Sequence, residues 1–143
     1  MVPALLTPGL MPAVHQAPIL IVEDDRNTLS GYVEYLSNAG YEVLGVADGD
    51  AALPLAMTHG PGVVVTDITL PGINGFALAT ALRQDPRTQQ IPVIGLTAHW
   101  SRDIHRRAAE VPMCAVLRKP CVPSHLLAEV ERLLNPSGSL QRL

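Results

Sequence analysis

Continuous apolar runs, each ending on polar or charged residues, alternate along this chain with stretches of helical periodicity. Ile19-Leu20-Ile21-Val22 runs into Glu23-Asp24-Asp25, and Val63-Val64-Val65-Thr66 into Asp67. Runs that are apolar at every position, rather than every second one, read as strands covered on both faces, the pattern of a parallel sheet. Pro92-Val93-Ile94-Gly95-Leu96 is another such run and leads to Thr97-Ala98. Tyr41 to Ala47 alternates loosely toward a strand, and Met113 to Leu117 forms a fifth that delivers Arg118-Lys119-Pro120.

Between the strands the period changes. Leu29, Val33 and Leu36 recur at helical spacing, and Gly40 is placed to end that helix in a left-handed conformation. Asp48-Gly49 turns the chain into an Ala- and Leu-rich helix from about Asp50 to Thr58, expected to be short because Pro54 falls inside it. Pro71-Gly72 and Asn74-Gly75 turn the chain after Asp67, and a helix from about Gly75 to Arg83 offers Phe76, Leu78, Ala79 and Leu82 to a core before Asp85-Pro86 stops it. A polar, Arg-rich helix from about Arg102 to Ala109 is expected to be mostly exposed. Pro123 opens a last helix with Leu126, Leu127, Val130, Leu133 and Leu134 on one face. Five strands alternating with five helices predict an α/β fold, a doubly wound parallel sheet with right-handed crossovers. Residues 1–17, with Pro3, Pro8 and Pro12 and no periodicity, read as a flexible leader, 18–135 as one domain and 136–143 as a C-terminal tail.

Composition narrows the function classes. A chain of 143 residues can bury roughly two thirds of its unfolded surface, so one core needs no metal or disulfide for stability. A formal net charge of −3 and only one Trp, one Phe and three Tyr offer neither the basic excess nor the stacking surface of a direct nucleic-acid binder. No apolar run approaches the roughly 18 residues that would span a bilayer, so no membrane partner is expected, and no signal peptide opens the chain. Cys114 and Cys121, about 20 Å apart if the strand between them is extended, read as free thiols, which fits a cytoplasmic location.

The chemistry lies at the strand ends. Open α/β sheets place ligands at the carboxyl edge of the strands. Glu23-Asp24, Asp67, Thr97 and Lys119 all arrive there, from the first, third, fourth and fifth strands. Carboxylates converging without a soft ligand suit Mg²⁺. With a cation and Lys119 nearby, Asp67 can stay ionised and nucleophilic. Metal, ammonium, hydroxyl and backbone N–H are the groups that stabilise the oxygens of a transferring phosphoryl group. Singly, each residue has a plainer reading: Asp67 as a turn carboxylate, Glu23-Asp24 as a solvated acidic turn before a helix, Thr97 as a strand residue, Lys119 as a surface lysine. Asp25 is left with that plainer role. His99, His105 and His125 show no metal-pair spacing, and Arg102, Arg106 and Arg107 form a basic helix face.

From about Ile19 to Leu134, the order of these groups resembles the receiver domain of two-component response regulators. The resemblance implies a flavodoxin-like sheet of order 2-1-3-4-5, the order also found in the family's chemotaxis member. It implies that Asp67 accepts a phosphoryl group from a histidine kinase or histidine phosphotransfer protein. Asp24 would bind Mg²⁺ directly and Glu23 through water, with Asp67 and the Thr69 carbonyl as further ligands; Mn²⁺ or Ca²⁺ could substitute. Thr97 and the Ala98 N–H would hold phosphoryl oxygens, Lys119 would pair with another, and the Lys119-Pro120 bond would be cis. Thr69 and His99 would flank the path of the water that hydrolyses the phosphorylated form. The family's downstream contacts, to a protein target or to a second copy, use the face of the fourth helix, fifth strand and fifth helix.

Three positions depart from the family pattern. Val116 stands where an aromatic switch residue is usual, Cys121 where Phe is common, and Val111-Pro112-Met113 where a Gly-containing turn precedes the fifth strand. Trp100, three residues beyond Thr97, is then the candidate reporter of the phosphorylated state. The nine residues after the last helix are too few for an output domain, so a stand-alone, non-enzymatic receiver acting through protein contacts is expected. A phosphatase of the haloacid dehalogenase type also uses Asp, Mg²⁺, Thr and Lys, but wants a second Asp where this chain has Thr69. A pseudo-receiver that is never phosphorylated is the other alternative.

Overall fold

The computed structural model describes residues 17–70, 73–111 and 113–135. The expected leader up to residue 16, the Pro71-Gly72 turn, Pro112 and the 136–143 tail lie outside the described residues. Ten elements alternate: β1 Ile19–Val22, α1 Arg26–Asn38, β2 Val43–Val46, α2 Gly49–His59, β3 Val63–Asp67, α3 Gly75–Gln84, β4 Val93–Thr97, α4 Arg102–Glu110, β5 Ala115–Arg118 and α5 Pro123–Leu134. All strand pairs are parallel and the sheet order is β2-β1-β3-β4-β5, the flavodoxin-like order expected.

The three central strands β1, β3 and β4 are buried at every residue, which is why they lack alternation. Their side chains feed two cores in turn. Ile19, Ile21, Val63, Val65, Ile94 and Leu96 point to the side where α1 and α5 supply Tyr32, Leu36, Leu126 and Val130. Leu20, Val22, Val64 and Val93 face the other side, against Ala52 and Ala56 of α2 and Leu78, Ala79 and Leu82 of α3. The edge strands β2 and β5 are only partly buried. They also start later than expected: β2 omits Tyr41 and Glu42, and β5 begins at Ala115 rather than Met113. At an edge, pairing on one side alone fixes where a strand stops.

Local chemistry sets the helix limits. Asp25, which the sequence places in a solvated acidic turn, caps α1 by accepting the Thr28 N–H at 2.9 Å. That helix ends in a Schellman motif, with Tyr41 N–H on the Leu36 carbonyl, Gly40 N–H on the Ser37 carbonyl and Gly40 at φ 104°. Asp48, Asn74 and Ser101 cap α2, α3 and α4. The short α2 expected over about Asp50 to Thr58 is found as Gly49–His59, 11 residues that run through Pro54. Pro54 is exposed, so water can satisfy the carbonyl that its missing N–H leaves free. No residue of α4 is buried, as its Arg-rich sequence implies; Arg107 lies over the Phe76 ring at 4.5 Å and ties it to α3.

Candidate functional site

Parallel pairing places the last residues of β1, β3 and β5 at one edge of the sheet, and with them Glu23, Asp24, Asp67 and Lys119. One oxygen from each of Glu23, Asp24 and Asp67 lies within 4.8 Å of the others. Lys119 Nζ reaches across from the β5 end and donates to Glu23 Oε1 at 2.8 Å and to Asp67 Oδ2 at 3.0 Å. The Lys119-Pro120 peptide bond that begins the next loop is cis.

The three carboxylates sit in different surroundings. Glu23 is fully buried, with its second oxygen accepting the Asp25 N–H at 3.0 Å, so both its oxygens are engaged by the protein. Asp24 is exposed. Asp67 is buried apart from its outer edge and accepts a long bond from Thr69 N–H at 3.4 Å. Burial pushes the Glu23 carboxyl above its ordinary range, and the bonds from Lys119 and the Asp25 N–H offset this only in part. Burial pulls the Lys119 ammonium the other way, toward neutrality, but hydrogen bonds to Glu23 and Asp67 outweigh it and hold the group above its usual value. Lys119 is thus a fixed cation between two acids.

Three hard oxygen donors with no sulfur or imidazole among them fit a divalent cation such as Mg²⁺. Asp24 has the open side and Glu23 the closed one. Thr97 ends β4 at the same edge, but its hydroxyl is occupied within its own loop, accepting from His99 N–H at 3.0 Å and donating to the His99 carbonyl at 3.2 Å. The structure does not join Thr97 or Ala98 to the acidic cluster by a hydrogen bond. Lys119 N–H donates to the Thr97 carbonyl at 2.7 Å, so the β4 and β5 ends are tied together. Thr69 and His99 are both exposed beside the cluster's loops.

Two features around the site were not legible in the sequence. Tyr32 donates its hydroxyl to the Cys121 carbonyl at 2.7 Å, anchoring the loop after Lys119-Pro120 to α1 across 89 positions. Beside that bond lies a cleft of about 460 Å³, lined in part by Thr28, Tyr32, Ala98, Lys119 and Pro120. On the other flank, small side chains at Ala108, Ala115 and Val116 leave a second cleft of about 200 Å³ between α4 and β5. Trp100, 41% exposed, stands at its rim with its ring edge-on to His105 at 5.7 Å. Cys114 and Cys121 are free thiols, as expected.

A profile of the response regulator receiver domain family matches residues 19–131. Among curated relatives, the transcriptional regulatory protein PrrA of Mycobacterium tuberculosis is 35% identical over 121 residues, covering 85% of this chain and 51% of the relative. HprR of Escherichia coli, also named a transcriptional regulatory protein, is 36% identical over 122 residues, covering 85% and 53%. The chain therefore spans about half the length of these relatives. Of solved structures, the chemotaxis response regulator CheY4 of Vibrio cholerae superposes with a TM-score of 0.77 at 30% identity, covering 83% of this chain and 99% of that one. The receiver domain of the sensor histidine kinase PA1611 of Pseudomonas aeruginosa superposes with a TM-score of 0.77 at 26% identity, covering 84% and 98%, and is described with a magnesium ion coordinated in its active site cleft.

Proposed function

Since the chain belongs to the response regulator receiver family, we propose that Asp67 is its phosphoacceptor, taking a phosphoryl group from a phosphohistidine of a histidine kinase or histidine phosphotransfer protein. The observation that carries this reading is the convergence of Asp67, Glu23, Asp24 and Lys119 at one sheet edge, with the ammonium 3.0 Å from the Asp67 oxygen. In the transfer, an Asp67 carboxylate oxygen forms a bond to phosphorus as the P–N bond to the donor imidazole breaks. The bonding pair leaves on the imidazole nitrogen.

Lys119, already charged and fixed, is placed to neutralise one phosphoryl oxygen as it arrives. Asp24, Asp67 and the Thr69 carbonyl would hold Mg²⁺, and Glu23, whose oxygens are engaged, would act through water; the ion supplies positive charge to the carboxylates and the transferring oxygens. Thr97 would leave its bond with His99 to donate to a phosphoryl oxygen beside the Ala98 N–H. That movement draws on the loop carrying His99 and Trp100, which links the chemistry to the α4–β5–α5 face. We place the protein's action in the cytoplasm, with signalling through protein contacts on that face. The relatives named as transcriptional regulators lend no support to the expectation that nucleic acid is uninvolved.

Intact mass after incubation with Mg²⁺ and a small acyl phosphate tests the proposal. The native chain should gain one phosphoryl group and Asp67→Asn none. A native chain that stays unmodified with Mg²⁺ present, as a pseudo-receiver would, or that is modified elsewhere than Asp67, refutes it.

A further inference from the structure

The segment after Asp67 has to hold Thr69 at the site, and two helix starts grip it. Gly75, in the first turn of α3, donates its N–H to the Ile68 carbonyl at 2.9 Å, and a Cβ there would sit 2.7 Å from the Asp67 carbonyl oxygen. The far end is gripped by α2. Ile73 N–H donates to Asp50 Oδ1 at 3.3 Å, across 23 positions. A Cβ at position 49 would fall inside contact distance of the Ile73 carbonyl oxygen and 2.8 Å from its Cγ2.

Asp50 suits the first turn of its own helix as an acid near the positive end of the dipole, but neither it nor Gly49 is used by that helix alone. Asp48, not Asp50, caps α2, accepting the Asp50 N–H at 2.8 Å. Gly49 is not in the left-handed region, where among described residues only Gly40 and Gly60 lie. It is required for space rather than for backbone conformation. What both residues share is contact with Ile73.

We infer that Gly49 and Asp50 are positioning residues for the phosphoryl-transfer site: they hold Ile73 to the first turn of α2, and with it the first turn of α3, whose Gly75 N–H holds Ile68 next to Thr69. This rests on the reading of Asp67 as phosphoacceptor. Asp50 is exposed and distant in sequence from every ligand, so its carboxylate acts through the Ile73 N–H. One exposed hydrogen bond contributes roughly 1 kcal/mol, which limits the effect of its loss on binding to about 5-fold.

The test compares Asp50→Ala, Asp50→Asn and Gly49→Ala by calorimetric Mg²⁺ titration, by the rate of mass gain with an acyl phosphate, and by amide hydrogen exchange. Asp50→Ala should weaken Mg²⁺ binding by up to about 5-fold, slow phosphorylation to a similar degree and speed exchange at Thr69, Leu70 and Ile73 to Gly75, with its urea midpoint nearly unmoved. Asp50→Asn keeps an oxygen for the Ile73 N–H and should behave as native. Gly49→Ala should be at least as impaired as Asp50→Ala, and if it fails to fold the Asp50 pair still decides. Native-like Mg²⁺ affinity and loop exchange in Asp50→Ala would overturn the inference, as would an Asp50→Asn variant as impaired as Asp50→Ala. Should the native chain itself take no phosphoryl group, the functional reading falls, while the exchange comparison still reports on the brace.

Discussion

Replacing Lys119 with Met removes a cation that touches both buried acids. Its ammonium is 2.8 Å from Glu23 and 3.0 Å from Asp67, and the side chains are 19%, 0% and 10% exposed. Removing one partner of a buried ion pair costs about 3–5 kcal/mol, because the charge left behind is desolvated and unpaired. The residual exposure of Lys119 lets some water in, so about 3 kcal/mol is expected. With a urea slope of about 2 kcal/mol/M, the unfolding midpoint should fall by about 1.5 M at neutral pH in a chelator. Saturating Mg²⁺ binds only the folded state and should recover much of this loss, so the variant should respond to Mg²⁺ more than the native chain does.

The pH dependence has a definite sign. Burial raises the Glu23 carboxyl in the folded state above its usual 4.5, and removing the ammonium raises it further. A raised carboxyl contributes stability that is complete below the unfolded value and lost as pH climbs through the folded one. The gap between native and variant should therefore be small in acid and open as pH rises above about 4.5. Glu23→Gln in the Lys119→Met background removes the more deeply buried of the two stranded charges and should close part of the gap. Urea melts of all three chains in chelator, at acid and neutral pH, measure this. A Lys119→Met midpoint equal to the native one at neutral pH would refute the reasoning, since Glu23 would then need no partner.

Trp100 provides a second test: its emission should shift when Mg²⁺ and an acyl phosphate are added to the native chain and stay fixed in Asp67→Asn, because the Thr97 hydroxyl could donate to a phosphoryl oxygen only by releasing the His99 carbonyl. Unchanged emission in a fully phosphorylated sample would remove Trp100 as reporter. A third concerns Tyr32, whose hydroxyl burial pushes up to about 12. Tyr32→Phe should cost about 1 kcal/mol through loss of the bond to the Cys121 carbonyl. The folded protein keeps a proton that an unfolded tyrosine loses above pH 10, so stability should fall between pH 10 and about 12, and fall less steeply in Tyr32→Phe. Alkaline urea melts in which both chains lose stability equally with pH would contradict this.

The apolar runs of β1, β3 and β4 are readable because burial on both faces leaves no alternation to misinterpret. Their terminal residues are readable as a site because parallel pairing puts all strand ends on one edge. The left-handed helix end at Gly40 is legible for a local reason, because it is decided by residues a few positions apart. The edges of β2 and β5 are harder. There a strand ends where its single neighbour stops pairing, and nothing within Tyr41–Ala47 or Met113–Leu117 states that. The length of α2 is legible to within a residue at each end, and Pro54 does not break the helix because it faces water.

By itself, the sequence determined the alternation of strands and helices, the sheet class and the acids, hydroxyl and ammonium that the strands deliver, all properties of short segments with a fixed period. Tertiary structure alone decided how those groups differ in surroundings. Glu23 and Asp24 are adjacent and chemically alike, yet one is closed in by Lys119 and the Asp25 N–H and the other is open to a ligand. Lys119 reaches Glu23 across 96 positions, Tyr32 reaches Cys121 across 89 and Asp50 reaches Ile73 across 23. Such contacts depend on the twist and spacing of packed layers, and a linear pattern of polar and apolar residues specifies which face is buried without specifying what it meets there.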